Sequence, residues 1–165
     1  MPAHENSRRG TIRRARTVDG YRMALPAHLT LEIVTPDRAI AHEDVDEVEL
    51  PGTEGYLGIL PGHTPLLTGL KVGPMWYRKG TEKHYLSIAF GFAEVLPDRV
   101  RLLAQFAERA EEIDLRRAEE AKRRAEDLLQ SAKSGAPNVD AERARIALIK
   151  ALSRLQVATK ARTRF

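Results

Sequence analysis

Three kinds of side chain in this sequence could do chemistry: histidines, carboxylates and arginines. The five histidines, His4, His28, His42, His63 and His84, are scattered. No second histidine stands at ligand spacing from His63, so a metal site is not expected. No serine, aspartate or glutamate has the spacing of a triad or a nucleophile elbow. The chain has no cysteine, which removes thiolate nucleophiles, disulfides and cysteine-ligated zinc together. Catalysis is therefore not expected. What remains are arginines, with Arg117 and Arg124 following Asp114 in the last third of the chain. Read from the residues alone, Asp114 is a helix cap and the arginines form a solvated face.

The charges are unevenly spread. Net charge is +4, but residues 1 to 27 hold six basic and two acidic side chains, residues 28 to 110 eight and twelve, and residues 111 to 165 thirteen and nine. Such alternation argues for separate units with separate surfaces, since a nucleic-acid binder would spread its positive field over the folded core. The most lopsided stretch runs from Arg143 to Phe165, where Arg143, Arg145, Lys150, Arg154, Lys160, Arg162 and Arg164 meet no acidic residue. A basic nucleic-acid-binding adaptor is the competing class, although the single Trp76 and few other aromatics give bases little to stack on. A coiled-coil scaffold is a third, weakened by helices too short and too alanine-rich for strong heptads.

The elements that must position these residues follow from patterning. Residues 1 to 27 carry Arg8, Arg9, Arg13, Arg14 and Arg16 among few large apolar side chains, too little to offset ordering entropy, and are expected to be disordered. Met23, just before Ala24, is a candidate translation start. From Leu29 the period is two: Leu29, Leu31 and Ile33 alternate with Thr30 and Glu32 up to the Thr35-Pro36-Asp37 turn. Further strand-length runs are Val48–Leu50, Thr64–Leu70, Met75–Arg78, Tyr85–Phe90, Phe92–Leu96 and Val100–Leu103, separated by Pro51-Gly52, Pro61-Gly62, Gly73-Pro74, Lys79-Gly80 and Pro97-Asp98. Residues 28 to 110 should form an all-β sandwich.

After Ala107 the composition turns to Ala, Glu, Lys, Arg and Leu, unbroken by Gly or Pro until Gly135-Ala136-Pro137. Residues 111 to 165 therefore predict two helices joined by a turn, with Asp114 and Asp140 as N-caps. The expected stripes are Leu115, Ala118, Ala121, Ala125, Leu128 and Ala132 against Ala144, Ala147, Leu148, Ala151, Leu152 and Leu155. Alanine buries little more than a methyl, about 1 kcal/mol against about 2 for leucine, so the hairpin should pack marginally. An element held that weakly can be redistributed by a ligand contributing a few kcal/mol.

The densest motif is Gly55-Tyr56-Leu57-Gly58-Ile59-Leu60-Pro61-Gly62-His63-Thr64-Pro65-Leu66-Leu67. Its glycines and prolines suit a rigid surface loop, and it resembles the signature of the epsilon subunit of F-type ATP synthases. Leu31-Glu32-Ile33-Val34-Thr35-Pro36 and Leu86 to Val95 are similar to further strands of that family. The resemblance implies about ten strands in two sheets followed by an antiparallel helical hairpin. It implies a non-catalytic rotor part, peripheral at the cytoplasmic face of a bacterial inner membrane, coupling the gamma subunit to the c-ring. Thr53, Glu54, Gly55 and Tyr56 would face the ring, and Pro61, Gly62 and His63 would lie toward gamma. Ile113-Asp114-Leu115-Arg116-Arg117-Ala118 resembles the motif through which some relatives bind regulatory ATP; in that role the aspartate would accept from a base or ribose hydroxyl, and Arg117 with Arg124 would offer planar donor pairs to phosphate oxygens. Ile113, Asp114, Arg117, Ala118 and Arg124 would then be joined by Lys150 and Arg154, where such relatives carry two arginines, so a point charge replaces one planar fork. The helix bearing Arg143, Arg145, Lys150 and Arg154 would extend toward the alpha and beta subunits and block hydrolysis.

Overall fold

The computed structural model describes residues 24–163. The expectations for residues 1 to 23, Met23 as a start among them, and for Arg164 lie outside the described residues. The strands are β1 (Leu29–Val34), β2 (Ala39–Val45), β3 (Glu47–Gly52), β4 (Gly55–Ile59), β5 (Leu66–Gly69), β6 (Gly73–Lys79), β7 (Glu82–Leu96) and β8 (Arg99–Arg109). A 3-10 turn at Ala110–Glu112 leads into helices α1 (Leu115–Lys133) and α2 (Ala141–Arg162). Hydrogen bonding runs in the order β2-β1-β8-β7-β6-β3-β4, with β5 also on β7. The β1–β8 pair is parallel. The β body followed by a helical hairpin is the architecture read from the sequence, built from eight described strands rather than about ten.

The runs Tyr85–Phe90 and Phe92–Leu96, read as two strands, are one strand, β7. Leu86 and Ile88 point into the core before Phe90, whereas Ala93 and Val95 do so after it. In β8, Val100, Leu102 and Ala104 face inward first, then Ala107. The alternation slips where Phe90 (φ 57°) and Gly91 (φ 113°) kink the chain, yet the pairings Ala89↔Phe106 and Gly91↔Ala104 keep one register. Period-two reading breaks at such a point and divides one long strand into two.

Two other strands escaped the pattern. β2 carries His42, Glu43 and Asp44 and buries only Ala41 and Val45, too sparse an alternation to register. Gly55–Ile59, expected within a loop, is β4, paired with β3 from Val48↔Ile59 to Gly52↔Gly55. It lies at the end of the sheet order, where glycines Gly55 and Gly58 leave no packing deficit on an outer neighbour.

The main core gathers Leu29, Leu31, Ile33, Leu50, Met75, Tyr77, Leu86, Ile88 and Leu102, all fully buried. A second, small cluster joins the hairpin to the sheet: Ala110, Ile113, Ala118, Val157 and Ala158, with Tyr85, Leu115 and Leu155 against it. Both helix caps form as expected, Asp114 accepting from the Arg117 backbone N–H at 3.1 Å and Asp140 from that of Arg143 at 3.0 Å. Gly135 (φ 76°) supplies the left-handed residue that ends α1. The expected stripes need correction: Leu128 and Leu152 stay almost half exposed and Ala147 is exposed as well, whereas Ser153, Val157 and Ala158 are buried. A single stripe serves a single partner, and α2 lies against both α1 and the sheet.

One polar network ties β2, β6 and β8 together. The Tyr77 hydroxyl donates to Glu43 at 2.9 Å, and Arg109 donates to the Tyr77 hydroxyl at 3.0 Å, to Glu43 at 3.2 Å and to the Ile40 carbonyl at 3.0 Å. Burial pushes the Glu43 carboxyl up, and the hydrogen bonds from Tyr77, Arg109 and Lys79 more than reverse it, leaving it below its ordinary value. A depressed carboxylate adds stability above its unfolded pKa, about 4.3 for glutamate, and that stability is lost as pH falls through the folded pKa. Glu43→Gln should therefore lower the urea midpoint at pH 7 and narrow the gap between pH 7 and pH 3. An unchanged gap would show that other carboxylates carry the acid sensitivity.

Candidate functional site

Where the hairpin leaves the sheet, the end of β8, the 3-10 turn and the first turns of α1 enclose a cleft with α2. Ile113, Asp114, Arg117, Ala118, Arg124 and Arg154 line it, together with Glu108, Glu112, Glu120 and Ala121. Six of the seven residues named from the sequence thus converge on one cleft. The capping requirement places Asp114, and helical spacing carries Arg117 and Arg124 along the same side of α1. Lys150 stands apart, its ammonium 5.5 Å from the Phe90 ring centre.

The cleft's chemistry is balanced rather than uniformly basic. Arg154 donates to Glu108 at 2.8 Å and lies 4.7 Å from the Phe106 ring centre. Arg124 sits 3.9 Å from Glu120. Glu112 accepts from Arg38 at 2.6 Å, and that bond is the leading cause holding its carboxyl below the ordinary value. The volume is about 230 Å³, under the roughly 300 Å³ at which small-molecule pockets begin. A nucleotide would have to open the cleft and draw arginines away from their carboxylates. Glu108 and Phe106 carry no sequence signal, because a strand-end glutamate looks like any solvated carboxylate, whereas Glu120 stands four residues before Arg124 in the order that favours their pairing.

The two groups expected at the rotor interface lie at opposite ends of β4. Thr53 and Glu54 form the β3–β4 turn with exposed Gly55 (φ 135°) and Tyr56. Pro61, Gly62 and His63 follow the other end, half-buried. At about 3.4 Å per residue, the five-residue β4 separates them by roughly 17 Å. The second group is rigid: the Gly62 N–H donates to the Pro97 carbonyl at 2.7 Å and the His63 N–H to the Leu60 carbonyl at 3.1 Å. Exposed Leu60 and Leu67 flank it.

On α2, Arg143 and Arg145 are exposed, Arg145 at 3.4 Å from Glu142, whereas Lys150 and Arg154 are half-buried against the sheet. Among the described residues no group of three or more His, Asp or Glu could hold a metal ion. None of the helices described there is long and apolar enough to cross a membrane.

Comparison with known proteins gives consistent matches. Residues 28–110 match the family described as ATP synthase, Delta/Epsilon chain, beta-sandwich domain, and residues 111–159 match the long alpha-helix domain of the same chain. An ATP synthase epsilon chain of Solibacter usitatus is 46% identical over 136 residues, covering 82% of this chain and 99% of that one. One from Dehalococcoides mccartyi is 48% identical over 136 residues, covering 82% and 96%. One from Koribacter versatilis is 55% identical over 100 residues, covering 61% and 70%. Among solved structures, a chain of the Euglena gracilis mitochondrial ATP synthase OSCP/F1/c-ring assembly superposes with a TM-score of 0.71 at 25% identity, covering 96% of this chain and 91% of that one.

Proposed function

The chain belongs to the delta/epsilon family of ATP synthase subunits, and on that premise we propose that it is a rotor part whose helical hairpin regulates the complex. It is the non-catalytic epsilon subunit of the central stalk, at the cytoplasmic face of a bacterial inner membrane, a setting supported by its bacterial relatives. The β body couples the gamma subunit to the c-ring, through the Pro61-Gly62-His63 loop on one side and the Thr53 to Tyr56 turn on the other. Their placement at the two ends of one strand supports two separate contacts made by one rigid body. Nothing in the fold or the relatives favours the nucleic-acid reading.

One observation carries the regulatory part: the hairpin touches the sheet through a small cluster in which three of the five buried residues are alanine, beside a cleft where three arginines and Asp114 converge. The docked hairpin is the form that accepts ATP, with Arg117, Arg124 and Arg154 on the phosphates and Asp114 or Ile113 at the base. Released, α2 presents Arg143, Arg145, Lys150 and Arg154 to the alpha and beta subunits and opposes hydrolysis. Calorimetric titration of the full chain with ATP should show one saturable site, weakened about tenfold or more by Arg117→Ala, since a charge-assisted hydrogen bond contributes about 1.5 to 3 kcal/mol. No heat of binding at millimolar ATP would remove nucleotide from the scheme and leave Asp114 as a cap.

A further inference from the structure

We propose that the outer face of β7 and β8 is a helix-binding seat that reads Lys150, Ser153 and Arg154 of α2, and that this seat decides where the hairpin docks. It rests on the reading that the hairpin moves, and it names the contacts that hold one end of that motion.

The seat is built from two adjacent rungs of the β7–β8 ladder, Ser87↔Glu108 and Ala89↔Phe106, whose side chains share the face turned away from the core. Ser87 is 2% exposed and Ser153 4%, and their hydroxyls lie 2.8 Å apart. Tyr77 aside, these are the two buried side chains among the described residues that carry a hydroxyl or charged group. The next residue along α2, Arg154, reaches Glu108 at 2.8 Å and lies over Phe106 at 4.7 Å. One turn earlier Lys150 lies 5.5 Å from Phe90, whose φ of 57° takes it out of the ordinary pleat. Such a backbone is costly for an aromatic residue, and here it brings the ring under a cation.

The other fully buried residues of α2 are small and apolar, Ala144, Ala151, Val157 and Ala158, with Leu155 packed half-buried beside them. Such a surface tolerates sliding or rotation, because one methyl replaces another at little cost. The serine pair does not. Moving α2 by one residue shifts it about 1.5 Å and turns it about 100°, which leaves two buried hydroxyls without partners, each a destabilising group. The same step takes Arg154 from Glu108. Arg154 therefore stands at a junction: it holds the docked helix, lines the cleft and belongs to the basic stripe of the released helix.

A mutant cycle in the full chain tests this. Trp76 is the single tryptophan and shares a small surface pocket with Gln156 and Lys160 of α2, so its fluorescence reports docking alongside hydrogen exchange of α2 amides. Ser87→Ala or Ser153→Ala alone should raise the open fraction of α2 about tenfold, because each strands one hydroxyl. The double variant should return to near the parent value, since removing both partners together is nearly neutral. Glu108→Gln should open α2 about tenfold and abolish the salt dependence of docking. Single variants with parent-like protection, or a double variant as open as the singles, would overturn the seat. If the cycle holds but the opened variants leave hydrolysis by the assembled complex unchanged, the seat stands and the regulatory reading falls.

Discussion

Truncation of the chain after Ala110 in an assembled synthase should leave assembly and ATP synthesis intact and raise ATP hydrolysis about fivefold or more, the low end of typical conformational couplings. The β body should survive the cut because its core, from Leu29 to Leu102, is closed without the hairpin; the loss falls on the smaller cluster at Ala110, Ile113 and Val157. A second form of the experiment keeps every residue in place. The chain has no cysteine, and the Ser87 and Ser153 oxygens are 2.8 Å apart, so Ser87→Cys with Ser153→Cys gives one lockable pair. Oxidation should fix α2 on the sheet and match the hydrolysis of the truncated complex, and reduction should restore inhibition. Hydrolysis unchanged by both truncation and locking would end the inhibitory role, while the rotor role would be untouched.

The largest stability effect is expected at Gly91. Its φ of 113° lies in a region that side chains rarely adopt, and a Cβ there would press against the Leu103 carbonyl oxygen and lie 2.9 Å from Ala104 Cα. Both obstacles are backbone of the neighbouring β8, which cannot turn aside without breaking the ladder. Gly91→Ala should cost about 3 to 5 kcal/mol, strain and overpacking acting together. Gly80→Ala is the control: Gly80 also has a positive φ, 60°, but nothing stands within 4 Å of its Cβ direction, so its cost should be about 1 kcal/mol. Urea unfolding of both variants separates clash from conformation. Equal midpoints would show that the β7 kink relaxes freely and would also weaken the case for Phe90 as a fixed platform under Lys150.

How much of this was legible in advance depends on the range of the interaction. Asp114 and Asp140 as caps, and Gly135 to Pro137 as the break between helices, are local backbone requirements written within a few residues of where they act, and they were read correctly. The strands beginning at Leu29, Val48 and Met75 were legible because one face is buried throughout each, which forces alternation. The division of β7 into two strands, and the loss of β2 and β4, followed where that condition fails: at a kink that swaps faces, in a strand with few buried residues, and at a glycine-rich edge. The lining of the cleft was legible in part, since Asp114 caps the helix that carries Arg117 and Arg124.

By itself, then, the order of residues determined which segments are helix and most of those that are strand, where the two helices start and where the break between them falls, and that α2 is rich in basic residues. Only tertiary structure decided that Glu108 faces Arg154 and Glu112 faces Arg38, that Ser153 meets Ser87, and that Lys150 rests by Phe90 while Arg154 turns to the cleft. Those choices join residues 60 or more positions apart in the Phe90–Lys150 and Ser87–Ser153 pairs, and such a pairing leaves no local trace: a serine amid alanines becomes a latch only when another hydroxyl is brought opposite it and water is excluded from both.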